Sequence, residues 1–163
     1  LASYVYAPNF HSASDDGTSI YCLDAPAQPT DIPRSSQAEV NAVKRFLSLN
    51  QISDYAILSP YRRQISLLSA ALPKEKKSGR ILTVHASQGR EWDTLFLSVV
   101  DTNNKCFTDT VRSATQGKMV INTAVSRARK TLILVCDASY WFSHPEQLIG
   151  QLVLASKPLY INS

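Results

Sequence analysis

Two polar stretches of this chain carry side chains suited to handling sugar and phosphate: VHASQGREWD at 84–93 and INTAVSRARK at 121–130. In the first, small hydrogen-bonding side chains beside exposed backbone amides suit a sugar–phosphate backbone. Gly89 lets the chain turn closely, and Glu91 can accept a hydrogen bond from a ribose hydroxyl. His85 taken alone is equally a structural histidine tying a loop, and Trp92 reads as packing. In the second stretch Arg127 and Arg129 sit on a segment expected to be helical, with Ala124 and Ala128 small enough for close packing. Residues two apart on a helix diverge, so one arginine would reach across a cleft while the other braces it. A third stretch, SPYRRQ at 59–64, offers the flat face of Tyr61 for stacking a base and the charges of Arg62 and Arg63 for phosphate. Its plainer reading is a half-buried tyrosine at a helix start with two solvated arginines.

These residues need elements to hold them, and the apolar pattern supplies a set. Short apolar runs at 20–23, 55–58, 81–84, 94–100 and 131–136 predict strands. The run at 94–100 is continuously apolar, as expected for a strand covered on both faces. Ser36 followed by Glu39 is a capping-box signature, and Val40, Val43 and Leu47 recur at helical spacing up to about Asn50. Ser59 and Pro60 predict the cap and first residue of the next helix, whose face is Ile65, Leu68 and Leu72 and whose stop is Pro73. KEKKSG at 74–79 predicts a solvated loop, and 101–117 a long polar connection. A helix is expected over 118–129. A last one, opened by Pro145 and ended by Pro158, turns Leu148, Ile149, Leu152 and Val153 inward. Strands alternating with helices predict a parallel α/β sheet. Such sheets bind ligands outside their strand ends.

Length and composition set limits on this. The chain has 163 residues, enough for one domain with a real core. With 44% hydrophobic and 18% charged residues it reads as globular rather than disordered. No apolar run reaches the length of a membrane span, and no signal peptide is evident. Cys22, Cys106 and Cys136 are far apart and in no CxxC spacing, which predicts reduced thiols in an intracellular protein and no metal site. A formal charge of +4 permits a nucleic-acid partner without demanding one. The first residue is Leu1 rather than methionine, which predicts a piece of a longer protein. A turn is expected at 12–17.

ILSPYRRQ, ILTVHASQGREWDTLFLSVVD and VINTAVSRARKTLILVCD, in this order, resemble motifs IV, V and VI of superfamily 1 helicases. The QGRE and SRARK forms are similar to the branch containing the nonsense-mediated-decay helicase, and VHASQG to bacterial RecD-like enzymes. The resemblance covers roughly residues 19–137. It implies an α/β, RecA-like fold of the P-loop NTPase type, the second of two such domains that bind ATP between them. On that likeness residues 1–18 are a boundary segment and 19–163 the second domain. Tyr61 would stack on the adenine, with Gln64 and one of Arg62 or Arg63 supporting the nucleotide. Gly89 and Glu91 would meet the nucleotide, Glu91 at the ribose. Arg127 matches the arginine finger and Arg129 a supporting residue. Thr83, His85 and Ser87 fall where motif V touches single-stranded DNA or RNA.

The departures from that family's full pattern are equally informative. The sequence contains no G-x-x-x-x-G-K-[ST]: Gly117 and Lys118 are adjacent, but Arg112 and Met119 stand at the other key positions. Asp15 and Asp16 lie in a turn-like segment rather than at a strand end. The resemblance therefore implies that the phosphate cradle and the magnesium ligand lie on a first domain, and that this chain alone is inactive. A module that keeps the fold without catalysis, binding nucleic acid or acting as a scaffold, is the main rival. A freestanding nucleotide-binding protein using Tyr61 as its platform is a second; it predicts ATP affinity for this chain alone.

Overall fold

The computed structural model describes residues 18–112, 114 and 116–159. The turn expected at 12–17, and all of the boundary segment except Thr18, lie outside the described residues. Strands β1 (Ser19–Asp24), β2 (Tyr55–Ser59), β3 (Ile81–Thr83), β4 (Trp92–Ser98), β5 (Ala128–Cys136) and β6 (Lys157–Leu159) form one sheet in the order β3-β2-β4-β5-β1-β6. Every neighbouring pair is parallel. All six strands therefore begin at one edge of the sheet, the amino edge, and finish at the other, the carboxyl edge. This is a RecA-like parallel α/β architecture.

Side chains alternate between two cores, one on each face. Helices α1 (Gln37–Leu49) and α2 (Arg62–Ala71) cover the face carrying Tyr55, Ile57, Phe96, Ile133 and Val135. Helices α4 (Gly117–Val125), α5 (Ala138–Phe142) and α6 (Leu148–Ala155) cover the face carrying Ala56, Leu58, Leu95, Leu97, Leu132 and Leu134. Each large aliphatic side chain so buried contributes about 1.5–3 kcal/mol relative to exposure. On the first face Phe96 meets Phe46 and Tyr55 edge-on, with centroids 5.5 and 6.1 Å away. On the second, Trp141 is fully buried and its indole N–H donates to the Asp101 carbonyl at 3.1 Å.

Several boundaries differ from the sequence expectation, each for a local reason. Pro73 does not merely stop α2: it opens a further short helix, α3 (Pro73–Lys77), because its missing N–H costs nothing at a first helical position. The KEKK segment is thus helical rather than loop. Helix α2 starts at Arg62 with Tyr61 as its cap, two residues later than Ser59 and Pro60 implied. Helix α4 stops at Val125, so Arg129 lies on β5 and not on a helix. Gln147, not Pro145, caps α6, and Pro158 sits inside the short edge strand β6.

The capping box at Ser36 is only half formed. The Ser36 hydroxyl accepts from the Glu39 amide at 3.3 Å, but the Glu39 carboxylate turns inward instead of back. It accepts from the Ser98 hydroxyl at 2.6 Å and from the Val100 amide at 3.0 Å. Gln64 completes this network: its carbonyl accepts from the Ser36 amide, and its amide donates to the Ser36 carbonyl and to Ser98. The starts of α1 and α2 are thereby pinned to the end of β4.

Candidate functional site

The parallel sheet sorts the candidate residues into two groups. Tyr61, Arg62, Arg63 and Gln64 follow β2, and Thr83, His85 and Ser87 end or follow β3, so all seven lie at the carboxyl edge. Gly89 and Glu91 precede β4, Arg127 immediately precedes β5, and Arg129 is its second residue, at the amino edge. Asp54, at the amino end of β2, and Tyr61 are seven residues apart along extended chain, so the two edges are separated by roughly 20 Å. The structure therefore does not bring Tyr61 and Gln64 together with Glu91 and Arg127.

At the carboxyl edge Tyr61 is no open platform. It is 4% exposed, and its hydroxyl donates to Asp101 and accepts from the Phe107 amide. The Arg34 guanidinium lies over its ring at 5.0 Å, and the Phe107 ring packs against it at 5.6 Å and 33°. Burial pushes the Tyr61 phenol up, with Asp101 adding to it; burial likewise raises the Asp101 carboxyl. Asp101 also accepts from the Thr108 hydroxyl and the Cys106 amide, so one carboxylate gathers the loop after β4 onto Tyr61. Gln64 is fully buried in the Ser36–Ser98 network and presents nothing to a ligand. Arg62 is exposed, while exposed Arg63 donates to the Pro33 carbonyl at 3.0 Å.

The segment after β3 folds into a single 3-10 turn over His85–Ser87. Ser87 is buried, donating to the Val84 carbonyl at 2.5 Å, so its hydroxyl secures the turn. Thr83 accepts from the Ala86 amide and remains partly exposed; His85 is exposed. Register pairs Thr83 with Ser59, so His85 and Tyr61 each lie two residues past that pair at the carboxyl edge.

At the amino edge the two arginines have different fates. Arg129 donates through Nη2 to Asp54 at 2.6 Å and through Nε to Asp93 at 3.0 Å. The hydrogen bond to Asp93 is the first cause raising the Arg129 pKa, and the same bond holds the Asp93 carboxyl low. Asp54 in turn accepts from the Asp93 amide, tying β2, β4 and β5 at their first residues. Arg127 makes one side-chain bond among the described residues, through Nη1 to the Arg90 carbonyl at 3.3 Å, and its Nε is buried without a partner. Its main chain is fixed by contrast: the carbonyl accepts from Trp92 and the amide donates to Ala124. Gly89, at φ +80°, turns the chain in the left-handed region just before exposed Glu91. Arg90 lies over the buried Trp92 ring at 4.9 Å.

Asp54, Asp93, Asp101, Arg34 and Phe107 were not singled out from sequence. Asp54 and Asp93 had a readable signal, since in a parallel sheet both stand at strand starts next to the SRARK arginines. The contact of Tyr61 with residues forty and more positions away left none. Among the described residues no group of three or more His, Cys, Asp or Glu could hold a metal ion, and no helix is long and apolar enough to cross a membrane.

Residues 33–139 match the profile of a family described as an AAA domain. The DNA-binding protein SMUBP-2 of Rattus norvegicus is 33% identical over 88 residues, which cover 54% of this chain and 8% of that protein. The 3'-5' exoribonuclease HELZ2 of Homo sapiens is 32% identical over 113 residues, 61% of this chain and 4% of that protein. The chain thus spans less than a tenth of the length of these relatives. Among solved structures, the C-terminal domain of a possible DNA helicase from Lactobacillus plantarum WCFS1 aligns over 83% of this chain and 88% of its own, at 17% identity and a TM-score of 0.48.

Proposed function

The chain belongs to the AAA-domain family, and we propose that it is a C-terminal domain of the superfamily 1 helicase type whose amino edge is half of an ATP site. Arg127 is the arginine finger, Glu91 faces the ribose, Gly89 gives the loop its close approach, and Arg129 braces the edge. The carboxyl edge, through Thr83, His85 and the arginines 62 and 63, is part of a track for single-stranded DNA or RNA. The other half of the cleft, with the magnesium ligand, belongs to an N-terminal RecA-like domain of the same protein.

One observation carries this reading. Of the two SRARK arginines at this sheet edge, Arg127 is the one with a buried N–H that has no partner among the described residues. A buried guanidinium nitrogen without a partner is costly, and turning the side chain out onto a phosphate oxygen would remove the cost. Bound ATP would supply a γ-phosphate on which negative charge builds as it transfers. Arg127, its backbone fixed, would meet that charge once its side chain leaves the Arg90 carbonyl. Arg129 is instead held between two aspartates through Nε and Nη2, which neutralise its charge and suit it to bracing the edge. Tyr61 and Gln64, buried at the far edge, leave the nucleotide site in this reading.

The test is Arg127→Ala in the full-length protein. ATP turnover should fall by about 10³-fold or more, with folding unchanged. Wild-type turnover in that variant would end the assignment.

A further inference from the structure

We propose that Phe107 is a stacking platform for a base of single-stranded nucleic acid, built on Tyr61, whose ring also carries the Arg34 guanidinium. The inference rests on the reading of the carboxyl edge as a nucleic-acid track and adds to it the residue that grips a base. Tyr61 itself is sealed, but the ring resting on it is not: Phe107 is 38% exposed in a loop where Asp101, Thr108 and Cys106 are drawn inward.

The ring is held from two sides. Its own backbone amide donates to the Tyr61 hydroxyl at 3.0 Å, and its ring packs on the Tyr61 ring at 5.6 Å. Asp101 fixes that hydroxyl in turn, so the platform is anchored to the ends of β2 and β4 together. Pre-set rings cost little further entropy on binding.

The surroundings select the ligand. Arg34, its Cζ 5.0 Å from the Tyr61 ring centroid, and Arg62 are exposed cations, and His85 follows the adjacent strand β3. An aromatic face with exposed cations and partly exposed hydroxyls at the same sheet edge is a composition that grips one unpaired strand, bases on the ring and phosphates on the arginines. A duplex would hide its bases from such a ring. The stacking is indifferent to base identity, so DNA and RNA strands are both accommodated.

The experiment uses the full-length protein and fluorescence anisotropy with labelled oligo(dT), oligo(rU) and a matched strand of abasic sites. Phe107→Ala should weaken binding of the base-bearing strands by about tenfold and leave the abasic strand unaffected. Phe107→Trp should keep the affinity and show tryptophan quenching when strand is added, which also establishes that substitution at this position is tolerated. Equal affinities for Phe107→Ala and wild type, with wild type binding, overturn the platform alone. An equal loss on the abasic strand overturns it as well, by showing a general collapse of the surface. Wild type that binds no strand overturns the track and the platform together.

Discussion

Arg129, near the start of β5, reaches past β4 to Asp54 ahead of β2, with Nη2 and Oδ2 2.6 Å apart. Asp93 on the intervening strand takes the other side of the same guanidinium. A planar guanidinium fork presents fixed donors in two directions, one to each carboxylate. The pairing also decides which arginine of the SRARK segment is left with donors in hand.

Arg129→Ala should therefore lower ATP turnover of the full-length protein through loss of position. Its effect should be smaller than that of Arg127→Ala, and the thermal midpoint should hardly move because the pairs are exposed. Residues in one network are not additive. The double variant Arg129→Ala, Asp54→Asn should thus be no worse than Arg129→Ala. Steady-state kinetics of the single and double variants check this, and additive losses would show that the two act separately.

Glu39 gives the fold a pH dependence. Complete burial holds its carboxyl well above the ordinary carboxylate range, against the opposing pull of the Ser98 and Val100 hydrogen bonds. As pH rises past the usual glutamate value of about 4.3, the unfolded chain releases this proton while the folded chain keeps it. The folded state then binds more protons, so this group's contribution to stability is present below that value and is lost as pH rises through the folded one. Urea midpoints at pH 5 and pH 8 should fall more for wild type than for Glu39→Gln. Equal falls would remove Glu39 as the cause.

Tyr61→Phe separates the two edges. Deleting the hydroxyl leaves Asp101 and the Phe107 amide short of a partner, a cost of about 1–3 kcal/mol. Nucleotide affinity should be unchanged, because the ring lies at the edge opposite Arg127. A substantial rise in KM for ATP would return Tyr61 to the adenine site.

Two glycines should respond differently to alanine. At Gly89 a Cβ meets nothing within 4 Å, so Gly89→Ala carries only the strain of φ +80°, about 1–2 kcal/mol. At Gly117 a Cβ would sit 2.0 Å from the Asp109 carbonyl oxygen. Gly117→Ala forces α4 off the polar connection and should cost about 3 kcal/mol or more. Denaturant titration should rank them in that order, and a neutral Gly117→Ala would contradict the packing.

The sheet was readable because its strands are nearly continuous apolar runs bounded by polar turns. The five apolar runs from Ile20 to Cys136 all became strands. What the sequence hid was decided by tertiary contact or by segments with no periodic signal. Lys74, Lys76 and Lys77 are polar on every side, so nothing but Pro73 marks α3. Ala128, Arg129 and Lys130 read as the end of a helix, yet pairing with β4 draws them into β5. For the site, residue types pointed to phosphate, sugar and base, and the two arginines differ in their partners, Arg129 held by two aspartates and Arg127 by one carbonyl. The sequence reading grouped Tyr61 and Arg127 around one ligand, whereas they lie at opposite edges of the sheet. Knowing only that the strands are parallel separates residues after a strand from residues before one.

The two outermost strands, β3 and β6, are three residues long each, and β6 carries Pro158 at its centre. Proline offers no amide hydrogen to a newcomer, and three residues give little length to zip along. Edge-to-edge growth between copies is therefore disfavoured at both flanks of the sheet. Many such molecules crowded along a single polymer would remain separate particles rather than fusing into a continuous sheet.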